Sequence, residues 1–398
     1  MKKYALITDC HTGSAVPLVK QLLDGGDRVD LIVLTHGKPD LLEAVDLDFR
    51  PKHHGLSDVP AKAYPALAAW LGHGDRFRFR VADTPRTFAK VPVLRSLLAP
   101  LRAAWIRRIC RRVCEEQYDA VNFIGRYNQE DLLRYLSGLG GRTVVSLHEV
   151  CDHADPDFAH PNEALRYLFA AGLPITVYSP KSRDDLLRYR GCPAQNVHLI
   201  PFGAFSSYRI FDGADGLDLP ERYGLMIGWI APYKGLGVLA EAVRQTKTEG
   251  FRYVIAGDGK DPAIASLEAD DRFVVMNWFL SNSEFAELIR RSAFVICPYR
   301  SASQSGVPQT AFVYGRPVVA SDLGSFRSVV APGFNGELFP AGDAAALAAI
   351  LDRLAADPGA LPALQAGAAG FESRFPEYAW SAIASRFREV TSLVQSCL

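Results

Sequence analysis

Long apolar runs are missing from this 398-residue chain: none approaches the roughly 18 residues that a membrane span needs. The first apolar run, Tyr4 to Thr8, is too short for a secretory leader and meets Asp9 at once, so it reads as a buried strand. Net charge is absent as well. Lys plus Arg total 44 and Asp plus Glu total 44, so the chain as a whole is not a polyanion binder. The seven cysteines are odd in number, scattered and without CxxC spacing, which argues against a disulfide framework or a structural metal site. A reduced, cytoplasmic setting is the expectation. Disorder is excluded by a hydrophobic content of 48% and a charged content of 22%.

What is present is a long alternation of β-rich runs and helical patterns, enough for about two domains. In the N-terminal half the expected strands are 4–8, 28–34, 120–124, 143–147, 175–179 and 197–201, with helices such as 15–23 and 128–139 between them. The stretch 202–222 is rich in Gly, Ser and Asp and reads as a connection. Alternation then restarts. Strands are expected at 223–230, 252–257, 273–278, 294–299 and 317–321, and helices at 235–247, 283–292 and 308–314. The Ala-rich stretch 343–357 reads as a surface helix, and 377–394 repeats its apolar residues at three and four, as a packed helix does. The expected fold class is α/β, with two doubly wound parallel sheets. Their ligands should bind beyond the carboxyl ends of the strands.

The second half carries five motifs in order. They are GWIAPYKGLGVLAEA (228–242), VIAGDGKD (254–261), NWFLSNSEFAELIRRSAFVICPYR (277–300), SASQSGVPQTAFVYGRPVVASDLGSFRSVV (301–330) and GFNGELFPAGD (333–343). In this order and spacing they resemble the group 1 family of retaining glycosyltransferases with the GT-B fold. The resemblance covers about residues 198–390. It implies two Rossmann-like domains facing across a cleft: 1–203 for the acceptor, 204–222 as linker, 223–376 for a nucleotide-sugar donor, and a crossover helix 377–398 packing back on the N-terminal domain.

The resemblance also implies roles. Lys234, just after a strand, would meet the donor diphosphate as a point charge. Ser305, Gly306 and Val307 open a helix whose amides favour an anion. Gly257 would belong to the donor cleft, and Phe279 would lie against the base. A solvated surface lysine, a plain helix cap, a simple turn and a packed aromatic are the corresponding structural readings of these residues.

The family usually has two glutamates eight apart before its Gly-x-Pro-Val turn. Here those positions are Ala302 and Thr310. The loop instead looks like an SQSGV variant, in which Ser303 and Gln304 would bind the sugar and Thr310 or Gln309 the ribose. Trp229 stands where the family often has an arginine.

In the N-terminal half, His148 in SLHEV ends a strand, and the family often has a histidine near the transferred sugar. It is the catalytic candidate, with Glu149 and Gly13 as acceptor or cleft residues. The cluster His148, Glu149, Asp152, His153 and Asp155 has HExxxH spacing, which does not put both histidines on one helical face, so no metal is expected. Residues 76–112 hold eleven Lys or Arg against one acid. Within them, 95–112 interleaves arginines with Leu97, Leu98, Leu101, Trp105, Ile106 and Ile109, the pattern of a basic helix on anionic lipid. A solvated basic face beside buried leucines is the alternative. Nucleic acid is not expected, because the aromatics do not form a stacking platform.

Together these imply a metal-independent transferase of the hexosyltransferase type. It would move a sugar from a UDP- or GDP-sugar to a saccharide or lipid-linked acceptor with retention, at the inner membrane face, without a cofactor. A catalytically degenerate sugar-binding protein and a GT-B nucleotide-sugar epimerase are the rival readings.

Overall fold

The computed structural model describes the chain except residues 10, 36–41, 84–91, 126–133, 136–141, 149, 151–162, 190, 214–215, 303 and 395–398. The expected helix at 128–139 falls almost wholly outside the described residues. The chain forms two compact units, Met1–Pro201 with Trp380–Leu398, and Phe202–Ala379.

The first unit is built on an eight-stranded sheet, β1 Lys3–Thr8, β2 Arg28–Thr35, β3 Gly55–Asp58, β4 Phe77–Asp83, β5 Ala120–Gly125, β6 Thr143–Leu147, β7 Ile175–Val177 and β8 Val197–Leu199. Their spatial order is β3-β4-β2-β1-β5-β6-β7-β8, with only β3 antiparallel. Strands β1, β2 and β5 are buried runs of Val, Ile, Leu and Phe, as a sheet covered on both faces requires.

Strands β3 and β4 lie in a stretch that composition marks only as basic. The sequence of β4, FRFRVAD, alternates Phe with Arg, and its arginines are paired rather than free. Arg78 bonds Asp30 and Glu116, and Arg80 meets Glu116 at 3.2 Å and Asp58 at 2.8 Å. The Arg78 guanidinium beside Glu116 draws that carboxyl down to about 2. The 76–112 stretch is therefore not one basic surface.

The helix Trp380–Leu393 belongs to the first unit, as expected of a returning C-terminal helix. Arg388 Nε donates to Asp27 at 3.0 Å, and Phe387 packs edge-on against Tyr4 at 5.5 Å.

The second unit has six parallel strands, β9 Tyr223–Ile227, β10 Arg252–Ala256, β11 Phe273–Met276, β12 Phe294–Cys297, β13 Val318–Ser321 and β14 Gly336–Phe339. Their order is β11-β10-β9-β12-β13-β14. The chain reverses direction between β9 and β12, so this pair marks the switch point where α/β sheets open a crevice. Two helices of this unit start at side-chain caps. Ser281 accepts from Glu284 N–H and Glu284 returns the bond to Ser281 N–H, opening Asn282–Arg291. Asp343 caps Ala344–Ala356 by accepting from Ala346 N–H at 2.9 Å. That helix buries Leu347, Leu351 and Leu354 in the core, so only its outer face is surface.

Residues 204–222, expected as a linker, pack into the second unit. A short 3-10 helix, Ser206–Phe211, buries Tyr208, whose ring stacks on Phe285 at 4.8 Å. Composition missed this because the few aromatics, not the Gly and Ser, decide where the segment rests.

Candidate active site

The loop after β9 turns through Pro232–Lys234, a short 3-10 helix, and is pinned to the loop after β12. Arg300 N–H donates to Tyr233 O at 2.7 Å. Lys234 is thereby folded inward and is only 7% exposed. Its Nζ sits 5.0 Å from the centre of the Tyr299 ring and above buried Cys297. Among the described residues no carboxylate pairs with it. Burial pulls its pKa from 10.5 to about 8, and the same burial pushes the Cys297 thiol up to about 12. A solvated surface lysine is excluded. An ammonium in this position lacks a counter-charge, which a diphosphate would supply.

Gly257 and Gly259 hold the neighbouring loop against β9. Both have positive φ, and a Cβ at either would come within 2.2 Å of a backbone oxygen, of Gly228 and Ile230 respectively. Ile230 N–H donates to Asp258 O and Lys260 N–H to Ile230 O. These glycines bring two backbone segments together and shape the floor beside Lys234.

Gly306 precedes the helix Val307–Val313, and a Cβ there would meet the Phe205 ring at 2.5 Å. Ser305 Oγ accepts weakly from Val307 N–H at 3.4 Å. Thr310 is buried and its hydroxyl donates to Gly306 O at 2.8 Å, which leaves it only as an acceptor toward any ligand. Gln309 is also buried, and its Oε1 has no hydrogen-bond partner. Gln304 is half-buried just before this turn, while Ser303 lies outside the described residues. Phe279 and Trp278 after β11 and Trp229 after β9 are exposed, so three aromatic faces flank the β10 loop at the carboxyl edge.

In the first unit, His148 follows β6 and its N–H donates to Gly125 O at 2.9 Å. Its ring stacks on His11 at 3.5 Å with planes 9° apart, and approaches Tyr178 at 4.9 Å. Ser14 Oγ donates to His11 O, and its single proton is thereby committed. His148 Nε2 lies within hydrogen-bond reach of the same hydroxyl, at 3.2 Å. His11 was not singled out from sequence. Its signal was its place in the first strand-to-helix loop, between β1 and the helix Thr12–Asp24, at the first sheet's own switch point between β1 and β5. Gly13 is buried in that helix's first turn. Glu149, Asp152, His153 and Asp155 lie outside the described residues. Among the described residues no group of three or more His, Cys, Asp or Glu could hold a metal ion.

The helix Pro92–Glu115 carries the basic stretch. Ile106, Ile109 and Val113 are part of the first unit's core, so they are not available to lipid. Arg107, Arg108, Arg111 and Arg112 are exposed, together with Leu101. No helix among the described residues is long and apolar enough to cross a membrane.

Residues 221–357 match the family of group 1 glycosyl transferases. Over 245 residues the chain is 27% identical to an alpha-D-kanosaminyltransferase of Streptomyces kanamyceticus, covering 55% of this chain and 63% of that one. It is 30% identical over 202 residues to the amylovoran biosynthesis glycosyltransferase AmsK of Erwinia amylovora, covering 47% and 49%. The matches thus span about half of these curated relatives. The fold is similar to that of HepE from Anabaena, solved with UDP and glucose, at a TM-score of 0.66 and 15% identity, covering 98% of this chain and all of that one. The fold is GT-B, and the match to the group 1 glycosyl transferases lies within the second unit.

Proposed function

We propose that this chain, whose second unit belongs to the group 1 glycosyl transferases, moves a sugar from a UDP- or GDP-sugar to a saccharide or lipid-linked acceptor with retention of configuration. The observation that carries the reading is Lys234, buried and, among the described residues, without a carboxylate partner at the β9–β12 switch point. A donor diphosphate would give it its counter-charge. Amides of the Ser305–Val307 turn would take the remaining phosphate oxygens, and Trp229, Trp278 and Phe279 offer faces for the base. Gln304, which both donates and accepts, would orient the sugar hydroxyls. HepE, solved with UDP and glucose, supports a uridine donor by fold similarity. Such an arrangement needs neither a cofactor nor a metal, and a chelator should leave transfer unchanged.

His148 would serve in the first unit near the transferred sugar, its ring oriented by His11 and Ser14. The exposed arginines at 107, 108, 111 and 112 would hold the protein to anionic lipid by charge alone, at the cytoplasmic face. Binding to anionic vesicles should then fall steeply with salt, since attraction is screened within roughly 10 Å at 0.1 M. Equal binding to neutral vesicles would remove the membrane part.

The test of the central reading is a thermal-shift panel of nucleotide sugars followed by transfer with each stabilising donor. A donor at about one hundred times its dissociation constant stabilises by about 2.7 kcal/mol. The anomeric signal of the product reports retention. Stabilisation without transfer or donor hydrolysis would instead identify a degenerate sugar-nucleotide binder.

A further inference from the structure

We infer that the first unit holds a hydroxyl-binding site on His54, Asp83 and Trp105, which takes the sugar hydroxyls of an acceptor; that the ligand is an acceptor rests on the transferase reading above. Strand β3 runs antiparallel to β4 and places Gly55 opposite Asp83, while β2 places Thr35 opposite Asp83 on its other side. His54 therefore arrives at the carboxyl end of β4, on the edge of the sheet where α/β folds bind ligands.

Thr35 Oγ1 donates to Asp83 Oδ1 at 2.9 Å, and His54 Nδ1 lies 2.6 Å from Asp83 Oδ2. The Asp83 side chain is 9% exposed, but that of His54 is 47% exposed. Both carboxylate oxygens accept, so Nδ1 donates to Asp83 and the ring's other nitrogen, Nε2, faces away from the carboxylate. Among the described residues nothing meets that nitrogen. The Trp105 ring stands edge to face with the imidazole at 5.8 Å, and the Arg108 guanidinium lies over that indole at 5.6 Å.

Thr35 already serves one oxygen of the carboxylate. Here the buried acid fixes the tautomer and direction of an open ring, as a carboxylate does behind a histidine that binds a ligand. An outward ring nitrogen beside an indole suits a sugar, whose hydroxyl bonds the nitrogen while its C–H groups lie beside the aromatic ring.

The experiment uses the full chain labelled with 15N-histidine. The His54 ring resonances are identified by their loss in His54→Gln, and methyl glucoside, mannoside and galactoside are titrated in turn, with inorganic phosphate as the counter-probe. At least one hexoside should move the Nε2 resonance along a saturating curve, and Trp105→Ala should weaken that curve tenfold or more. Asp83→Asn should abolish it, whereas Trp105→Ala keeps the test valid if the Asn variant does not fold. The inference is overturned if no hexoside moves the resonance, if phosphate moves it instead, or if Trp105→Ala leaves the curve unchanged. No nucleotide enters this measurement, so a failure of the donor reading shows separately, as absence of thermal stabilisation by any nucleotide sugar.

Discussion

The two parallel sheets end their strands in different chemistry. At the switch point of the second sheet stands a single buried cation, Lys234, on a floor of backbone held close by glycines. At that of the first sheet stands His11 in a stacked pair with His148, and farther along the same edge His54 is oriented by Asp83. On the proposed reading, one edge would meet a constant diphosphate and the other a variable polyol, through side chains that donate and accept hydrogen bonds. It also explains why the motifs are dense in residues 228–343 and sparse before them. A diphosphate dictates where its cation and amides lie, whereas a polyol can be met by many sets of polar side chains.

The comparison is broken most severely by filling the glycine floor. Gly259→Val sets a side chain where a Cβ already lies 2.0 Å from Ile230 O. A cost of about 3 kcal/mol or more is expected, from overpacking and a left-handed backbone together. Differential unfolding should show the second unit melting earlier while the first keeps its transition; one shared shift of both would mean that the units do not unfold separately.

Next in size is Lys234→Met. Donor affinity should fall tenfold or more, yet the donor-free second unit should become more stable at pH 7. The lysine's native pKa is drawn from 10.5 to about 8, so below pH 8 both states hold the proton and the full penalty is present. Between pH 8 and 10.5 the unfolded chain binds more protons than the native one. Wild-type stability therefore rises relative to the methionine variant across that window. The gain from Met at pH 7 is of the order of 1–3 kcal/mol, and it should vanish by about pH 10.5. A variant less stable than wild type at pH 7 would mean that the ammonium already has its partner. In wild type, donor binding should weaken as pH rises above 8, because the neutral lysine must recover a proton to meet phosphate.

Gln304→Ala sharpens the comparison by separating sugar from phosphate. Nucleotide-sugar affinity should drop by about 1–3 kcal/mol, for polar groups of the bound sugar left unpaired, while bare nucleoside diphosphate binds as before. Equal losses for both would assign the loop to phosphate.

The smallest effect concerns the charge network under the first sheet. Glu116, held down to about 2 chiefly by its bond to Arg78, contributes stability above its unfolded pKa that is lost as pH falls toward 2. The carboxylate is partly solvated, so its loss in Glu116→Gln should cost no more than about 1 kcal/mol at pH 7 and less at pH 3. Urea midpoints of the first unit at the two pH values measure this. A larger loss at pH 3 would contradict the assigned direction.

The sequence by itself determined the two arrays of buried strands and the place of Lys234 after a strand. Each is a local pattern: an apolar run, or a strand followed by a turn. It missed β3 and β4, because arginines that read as surface charge along the chain are paired in space with Asp30, Asp58 and Glu116. It also read 204–222 as a linker, although Phe205 and Tyr208 dock in the second unit. For 95–112 it set lipid contact beside a solvated basic face, and the structure puts Ile106 and Ile109 in the core. Only the tertiary structure decided that Lys234 is buried, that His11 stacks on His148, and that His54 meets Asp83. The members of each pair lie far apart in sequence, 29 residues for His54 and Asp83 and many more for His11 and His148. Such contacts arise from strand order and register, and a one-dimensional pattern carries no information on which strand will lie beside which.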